Sequence, residues 1–334
     1  LKRLLLIYLS LFMMIPVLGF AGAQPLYTAQ LRYSGKVYDT PGGTLSLRTL
    51  SKGVRVDIYE VLPAWLKIGR EGTVLGYIQR EKLDDYTVES LVPALAPTYP
   101  GVQNTYLGWV AAEAPVRDRP GEDGETLITL TAGARLAFLN VEDGWAKLIF
   151  KRQYGYVDTR LLSELQMINA SADAHDDQAP IAAYTSFYKI STDEDNIGRI
   201  KNLQVSCDKL ELIRIMPGGN FNFNRDLGPY RRSNGYFPAI VLVDGGTALG
   251  YGGGTCQVSS TLYNVVLQLP GLKVDHRRPH GPGGISYLPH GADAAVGTES
   301  LNFKFTNNYP FPIRPEGTVQ DGALTITIWR ADAA

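Results

Sequence analysis

The sequence predicts a multidomain chain: two small all-β barrels followed by a mixed α+β domain. Three observations predict it. The chain has 334 residues, too many for one ordinary domain. Its first half holds an internal repeat of short alternating segments. Its second half sets similar segments around a glycine loop and one run of helical periodicity. A hydrophobic content of 45% is ample for packed cores, and Gly 35 and Pro 20 suit short strands with many turns.

Residues 1–23 read as a secretory signal: Lys2 and Arg3, an apolar run from Leu4 to Phe20, then Ala21-Gly22-Ala23 as a cleavage site. An exported or cell-envelope protein is expected, with no stable membrane span after cleavage. No cysteine lies near that site, so a lipid anchor is not expected. The net charge of −1 argues against a nucleic-acid partner.

The repeat comes next. The first copy runs Val37-Tyr38-Asp39-Thr40-Pro41-Gly42, Gly53-Val54-Arg55-Val56, Trp65-Leu66-Lys67-Ile68, Gly76-Tyr77-Ile78. The second runs Val116-Arg117-Asp118-Arg119-Pro120-Gly121, Gly133-Ala134-Arg135-Leu136, Trp145-Ala146-Lys147-Leu148, Gly155-Tyr156-Val157. Gly53 to Trp65 and Gly133 to Trp145 are each 12 residues apart. Alternation between turn residues reads as antiparallel strands, and closure hides the edges of so small a sheet. These strings resemble bacterial SH3-like domains over residues 30–85 and 108–163. The resemblance implies wall-binding modules; a spacer role is the alternative. Residues 86–104, with Pro93, Pro97 and Pro100, and residues 164–180, polar and aperiodic around His175, read as linkers.

The α+β domain is expected over 181–334. Ile240-Val241-Leu242-Val243 reads as a buried strand, and 301–305 and 324–328 as half-buried ones. Between them, Gly252-Gly253-Gly254-Thr255-Cys256 precedes Val258, Leu262, Val265 and Leu269 at helical spacing, stopped by Pro270-Gly271. Cys256 therefore falls where a glycine loop meets a helix N-terminus. Unpaired amides and the helix dipole there favour a thiolate. The same amides suit an oxyanion in acyl transfer, and Gly253 and Gly254 let backbone approach a substrate closely. No lysine follows the glycines, which disfavours a phosphate loop. The chain's other cysteine is Cys207. Three of the four histidines, His276, His280 and His290, cluster near Asp275 and Asp293, and one of them is expected to serve the thiol with a carboxylate behind it. Zinc bound by Cys256 and two histidines lacks a recognised spacing, and no metal or cofactor is expected.

At these residues a family is recognisable. "FNFN" (221–224), "GP" (228–229), "NGY" (234–236), "GGGTCQVSSTLYN" (252–264), "RRPH" (277–280), "SYLPHGADAAV" (286–296) and "LNFKFTNN" (301–308) resemble the VanW family, named from vancomycin-resistance clusters. The resemblance implies peptidoglycan cross-linking by L,D-transpeptidation of stem peptides, with Cys256 as nucleophile and His280 as its base. Asp293 is expected to orient His280, and Tyr287, Gly253 and Gly254 to line the substrate site. Arg277 or Arg278 is expected to pair with a substrate carboxylate. A cysteine peptidase acting on the same stems, and a non-catalytic peptidoglycan-binding scaffold, are the alternatives. A chain beginning near Pro180 is expected to keep its activity on soluble muropeptides.

Overall fold

The computed structural model describes residues 24–62, 65–91, 103–168, 179–243, 246–280, 285–289 and 291–331. The signal segment, His175 and His290 lie outside the described residues, as does most of each expected linker.

The first β unit has seven strands: β1 (Tyr27–Leu31), β2 (Gly35–Tyr38), β3 (Ser46–Leu50), β4 (Arg55–Val61), β5 (Trp65–Arg70), β6 (Thr73–Gln79) and β7 (Leu83–Ser90). They form one antiparallel sheet in the order β3-β2-β6-β5-β4-β1-β7. The second unit has β8 (Tyr106–Val110), β9 (Glu113–Arg117), β10 (Thr126–Thr131), β11 (Arg135–Phe138), β12 (Asn140–Glu142), β13 (Trp145–Phe150), β14 (Gln153–Asp158) and β15 (Leu162–Met167). Its two sheets run β10-β9-β14-β13-β12 and β11-β8-β15. The units share one plan, because β11 and β12 together occupy the place of β4. They part at Leu139, and β4 slips register at Tyr59, between Ile58 and Glu60. Both residues lie six past the repeat's glycine, Gly53 or Gly133. An unpaired residue there bends the strand, letting its two ends serve different neighbours. Strands β7 and β15 both run on into stretches that composition reads as linker.

The C-terminal region holds β16 (Ala182–Phe187), α1 (Glu194–Glu211), β17 (Asn220–Asn222), α2 (Phe223–Leu227), β18 (Pro238–Val243), β19 (Gly246–Tyr251), α3 (Thr255–Val266), β20 (Leu272–Arg277), β21 (Phe303–Asn307), β22 (Ile313–Gln320) and β23 (Ala323–Arg330). Sheets β16-β23-β22 and β17-β21-β20 flank the helices, and β18-β19 is a separate hairpin. Helix α3 packs on β16, β23 and α1, and α1 packs on β22 and β18.

Two expectations about strands change. Ile240 is 45% exposed, so β18 is half of an exposed hairpin and not a core strand. Strand β23 is buried on both faces from Ala323 to Ile328, because the second β unit covers the side away from α3. Phe187 and Ala323 belong to that unit's core, and Phe150 packs on Phe187 with ring centroids 4.8 Å apart. Thr185 accepts from Ala137 N–H at 2.8 Å, and Thr325 donates to the Arg135 carbonyl. The first unit's core contains only its own residues.

Candidate active site

Helix α3 is buried along nearly its whole length, although Ser259, Ser260, Thr261 and Asn264 are polar. Thr261 bonds Ser186 on β16 at 2.7 Å, and the other three face one segment. Ser259 donates to the Ala294 carbonyl, Ser260 accepts from Ala294 N–H at 2.9 Å, and Asn264 Nδ2 donates to the Ala292 carbonyl at 2.6 Å. One turn earlier, the Cys256 sulfur lies 3.4 Å from both the amide nitrogen and the carbonyl oxygen of Val296. Cys256, Ser260 and Asn264 thus meet Val296, Ala294 and Ala292 in antiparallel order. Four helical residues rise about 6 Å and two extended residues about 6.6 Å, so the periods match along this strap.

The strap carries Asp293. Its Oδ2 accepts from His280 Nδ1 at 2.7 Å and from the His280 backbone N–H at 2.5 Å. Arg277 grips the strap from β20, donating from Nε to the Asp293 carbonyl at 2.7 Å and from Nη2 to the Gly291 carbonyl. Its Nη2 also lies 3.6 Å from Asp293 Oδ1. Burial penalises the Asp293 carboxylate, but the hydrogen bond from His280 and the Arg277 charge outweigh it and hold its pKa below the usual carboxylate value. Burial likewise opposes a charged His280, yet interactions with Asp293 and Cys256 overcome it and push its pKa up to about 9. At neutral pH the imidazole is therefore protonated beside an ionised Asp293, with the sulfur as its other neighbour.

Cys256 is half-buried and unpaired, so no Cys207–Cys256 bridge exists. Cys207 is sealed on α1 against Gly317, where an added Cβ would come within 2.5 Å of its sulfur, and burial pushes its thiol pKa far up. In the turn before α3, Thr255 N–H bonds the Gly252 carbonyl and Gln257 N–H bonds that of Gly254. Among the described residues, the Cys256 amide between them has no backbone acceptor. It is the donor left for an oxyanion.

A cleft of about 920 Å³ opens over these groups, lined by Cys256, His280, Tyr287, Gly253 and Gly254 among others. Other expectations are corrected. Arg277 is spent on the strap, and Arg278 is exposed, since adjacent residues of an extended segment face opposite ways; neither lines the cleft. Gly253 lines the cleft, and its lack of a side chain is also required by packing, because a Cβ there would press on the Ile240 carbonyl oxygen. His276 sits on β20 with Nε2 3.3 Å from the Ser300 carbonyl oxygen, away from the cleft. Asp275 accepts from Thr306 Oγ1 and Asn220 Nδ2 and does not reach His280.

Sequence reasoning missed Arg199. From α1 it lines the cleft and donates from Nη2 to Gln257 Oε1 at 2.6 Å. It missed Asn224 as well, whose Oδ1 accepts from Tyr230 and from Gly297 N–H, and whose Nδ2 donates to Thr298 and Leu301. Arg199 lies on a helix that the sequence pattern did not reveal, and Asn224 was quoted only within the FNFN string.

A cysteine at a helix N-terminus, a charged imidazole beside it and a carboxylate behind the imidazole can perform nucleophilic acyl transfer. Residues 198–329 match the family model described as VanW like protein, and this part of the chain is similar to that family. Over 159 residues the chain is 33% identical to "Uncharacterized protein YoaR" of Bacillus subtilis (strain 168), covering 48% of this chain. It spans about half, 50%, of the length of that curated relative. Solved structures similar to it include NlpC1 from Trichomonas vaginalis, at 12% identity over 93% of this chain and 95% of that one, with a TM-score of 0.19. An NlpC/P60 family protein from Bacillus cereus is 10% identical over 46% of this chain and 59% of that one, with a TM-score of 0.16. Scores this low carry no argument about fold. Among the described residues no helix is long and apolar enough to cross a membrane.

Proposed function

We propose that the VanW-like domain is a cysteine acyltransferase that cross-links peptidoglycan stem peptides by L,D-transpeptidation. The observation that carries this reading is Cys256 and His280 lining one cleft, with Asp293 hydrogen-bonded behind His280. The Cys256 sulfur attacks the carbonyl of the third stem residue, and the Cys256 amide holds the oxyanion. The peptide C–N bond breaks and His280 protonates the departing D-alanine amine. The side-chain amine of a second stem then attacks the thioester, His280 takes its proton, and the thiolate is released.

In this reading residues 1–23 direct export, and the protein works secreted or attached to the cell envelope. The two β units are SH3-like domains that hold the enzyme on the wall. Trp65, Tyr77, Trp145 and Tyr156 are half-buried, and such partly exposed rings can take a ligand. The test is mass analysis of products from purified disaccharide-tetrapeptides. The wild type is expected to give a cross-linked dimer with loss of D-alanine, and Cys256→Ala none. Tripeptide without dimer would indicate a hydrolase, and no product from either a binding scaffold.

A further inference from the structure

One cation lining the cleft has no carboxylate partner among the described residues. Asp293 offsets Arg277, and Arg225 is paired with Asp226 at 2.6 Å. Glu299 and Lys304, which also line the cleft, carry opposite charges. Tyr230 and Tyr287 are kept as neutral phenols by burial. Arg199 remains. Its Nη2 donates to the neutral amide of Gln257, itself held by Ser186 Oγ at 3.0 Å. Its Nη1 is buried without a hydrogen-bond partner, and among the described residues no carboxylate pairs with it. The side chain lies close against Gly254, where an added Cβ would be 3.0 Å from Arg199 Cγ and 3.5 Å from its Nη1. A largely buried guanidinium with an unbonded N–H and no paired carboxylate is costly, and an anion in the cleft relieves that cost.

We infer that Arg199 makes this cleft a carboxylate-recognising subsite, the substrate presenting a carboxylate beside the carbonyl that Cys256 attacks. The inference rests on Cys256 as nucleophile and transfers to Arg199 the role that the sequence suggested for Arg277 or Arg278. For a stem-peptide donor the group is the carboxylate of the departing residue, one peptide unit from the attacked carbon.

The probes are iodoacetate and iodoacetamide, alike in size and differing in charge. Each alkylates the thiolate with loss of iodide, so the ratio of their rates cancels the fraction of thiolate. Cys207 is sealed, so labelling reports Cys256. At pH 7 and low salt, Arg199→Gln should lower the iodoacetate-to-iodoacetamide ratio about 10-fold, and Arg199→Lys should keep most of it. Added salt should shrink the wild-type preference. An unchanged ratio in a folded Arg199→Gln variant overturns the inference. Should that variant not fold, the wild type decides. N-acetyl-D-alanine should slow iodoacetamide labelling more than N-acetyl-D-alaninamide does, and equal protection overturns the inference. Failure of iodoacetamide to label Cys256 removes the nucleophile reading itself, an outcome distinct from an unchanged ratio.

Discussion

His280 is bound twice by one carboxylate, through its ring and its own backbone amide, so Asp293 fixes both the ring and the chain that carries it. The raised pKa gives a signed prediction. Its folded value of about 9 exceeds the unfolded reference of about 6.5, so its contribution to stability is complete below pH 6.5 and lost as pH rises through 9. The depressed Asp293 works at the other end, its contribution being present above about pH 4 and lost in acid. Turnover should fall above pH 9 as the imidazolium loses its proton. His280→Ala should lower turnover by about 10²–10⁴-fold and abolish that alkaline limb; a pH–rate profile checks both. Cys256 and His280 were legible because cysteine and histidine are rare here, and Asp293 because it stands in a recognisable string. Arg199 was not, because an arginine on a polar-looking helix gives no hint of burial until the fold covers it.

At the scale of elements, α3 and its strap form one device, with three side chains on successive turns pinning the segment that carries Asp293. Asn264→Ala removes the Nδ2 bonds to Ala292 and to the Ser260 carbonyl, leaving a buried carbonyl unpaired at a cost of about 1–3 kcal/mol. The melting temperature should fall, and turnover should fall with it as Asp293 shifts behind His280. An unchanged melting temperature would show that the strap holds itself. The apolar period of Val258, Leu262 and Val265 revealed the helix but not its polar face, because serine and asparagine in a helix ordinarily read as solvent-facing. Helix α1 escaped detection for a related reason. Its buried positions are Gly198, Asn202, Leu203, Ser206, Cys207 and Leu210, correctly spaced for one face but mostly small or polar. Close packing against β18 and β22 takes the place of a hydrophobic stripe, as the 2.0 Å separation between a Cβ at Gly198 and the Pro238 carbonyl oxygen illustrates.

For the whole molecule, the repeat was legible because the same spacing and turn residues occur twice, but the docking of the second unit left no mark on its own sequence. That docking decides which truncations survive. A chain beginning at residue 181 would expose Phe187 and Ala323 and strip Thr185 of its Ala137 partner, so it should aggregate or melt without cooperativity. This runs against the expectation that a chain beginning near Pro180 keeps its activity. A chain beginning at residue 103 keeps both sides of the shared core and should melt cooperatively, which calorimetry on the two chains compares. The second unit also reaches the site directly, since Arg152 donates to the Ile285 carbonyl at 2.6 Å, ahead of Tyr287. The central claim is that Cys256 takes the acyl group, and intact-protein mass spectrometry after rapid acid quenching tests it most directly. With a tetrapeptide donor and no acceptor amine, the protein should gain the mass of the donor less D-alanine, localised to Cys256 on digestion and absent from Cys256→Ala. Dimer formed by a Cys256→Ala protein at the wild-type rate, with no adduct on either, would contradict the account.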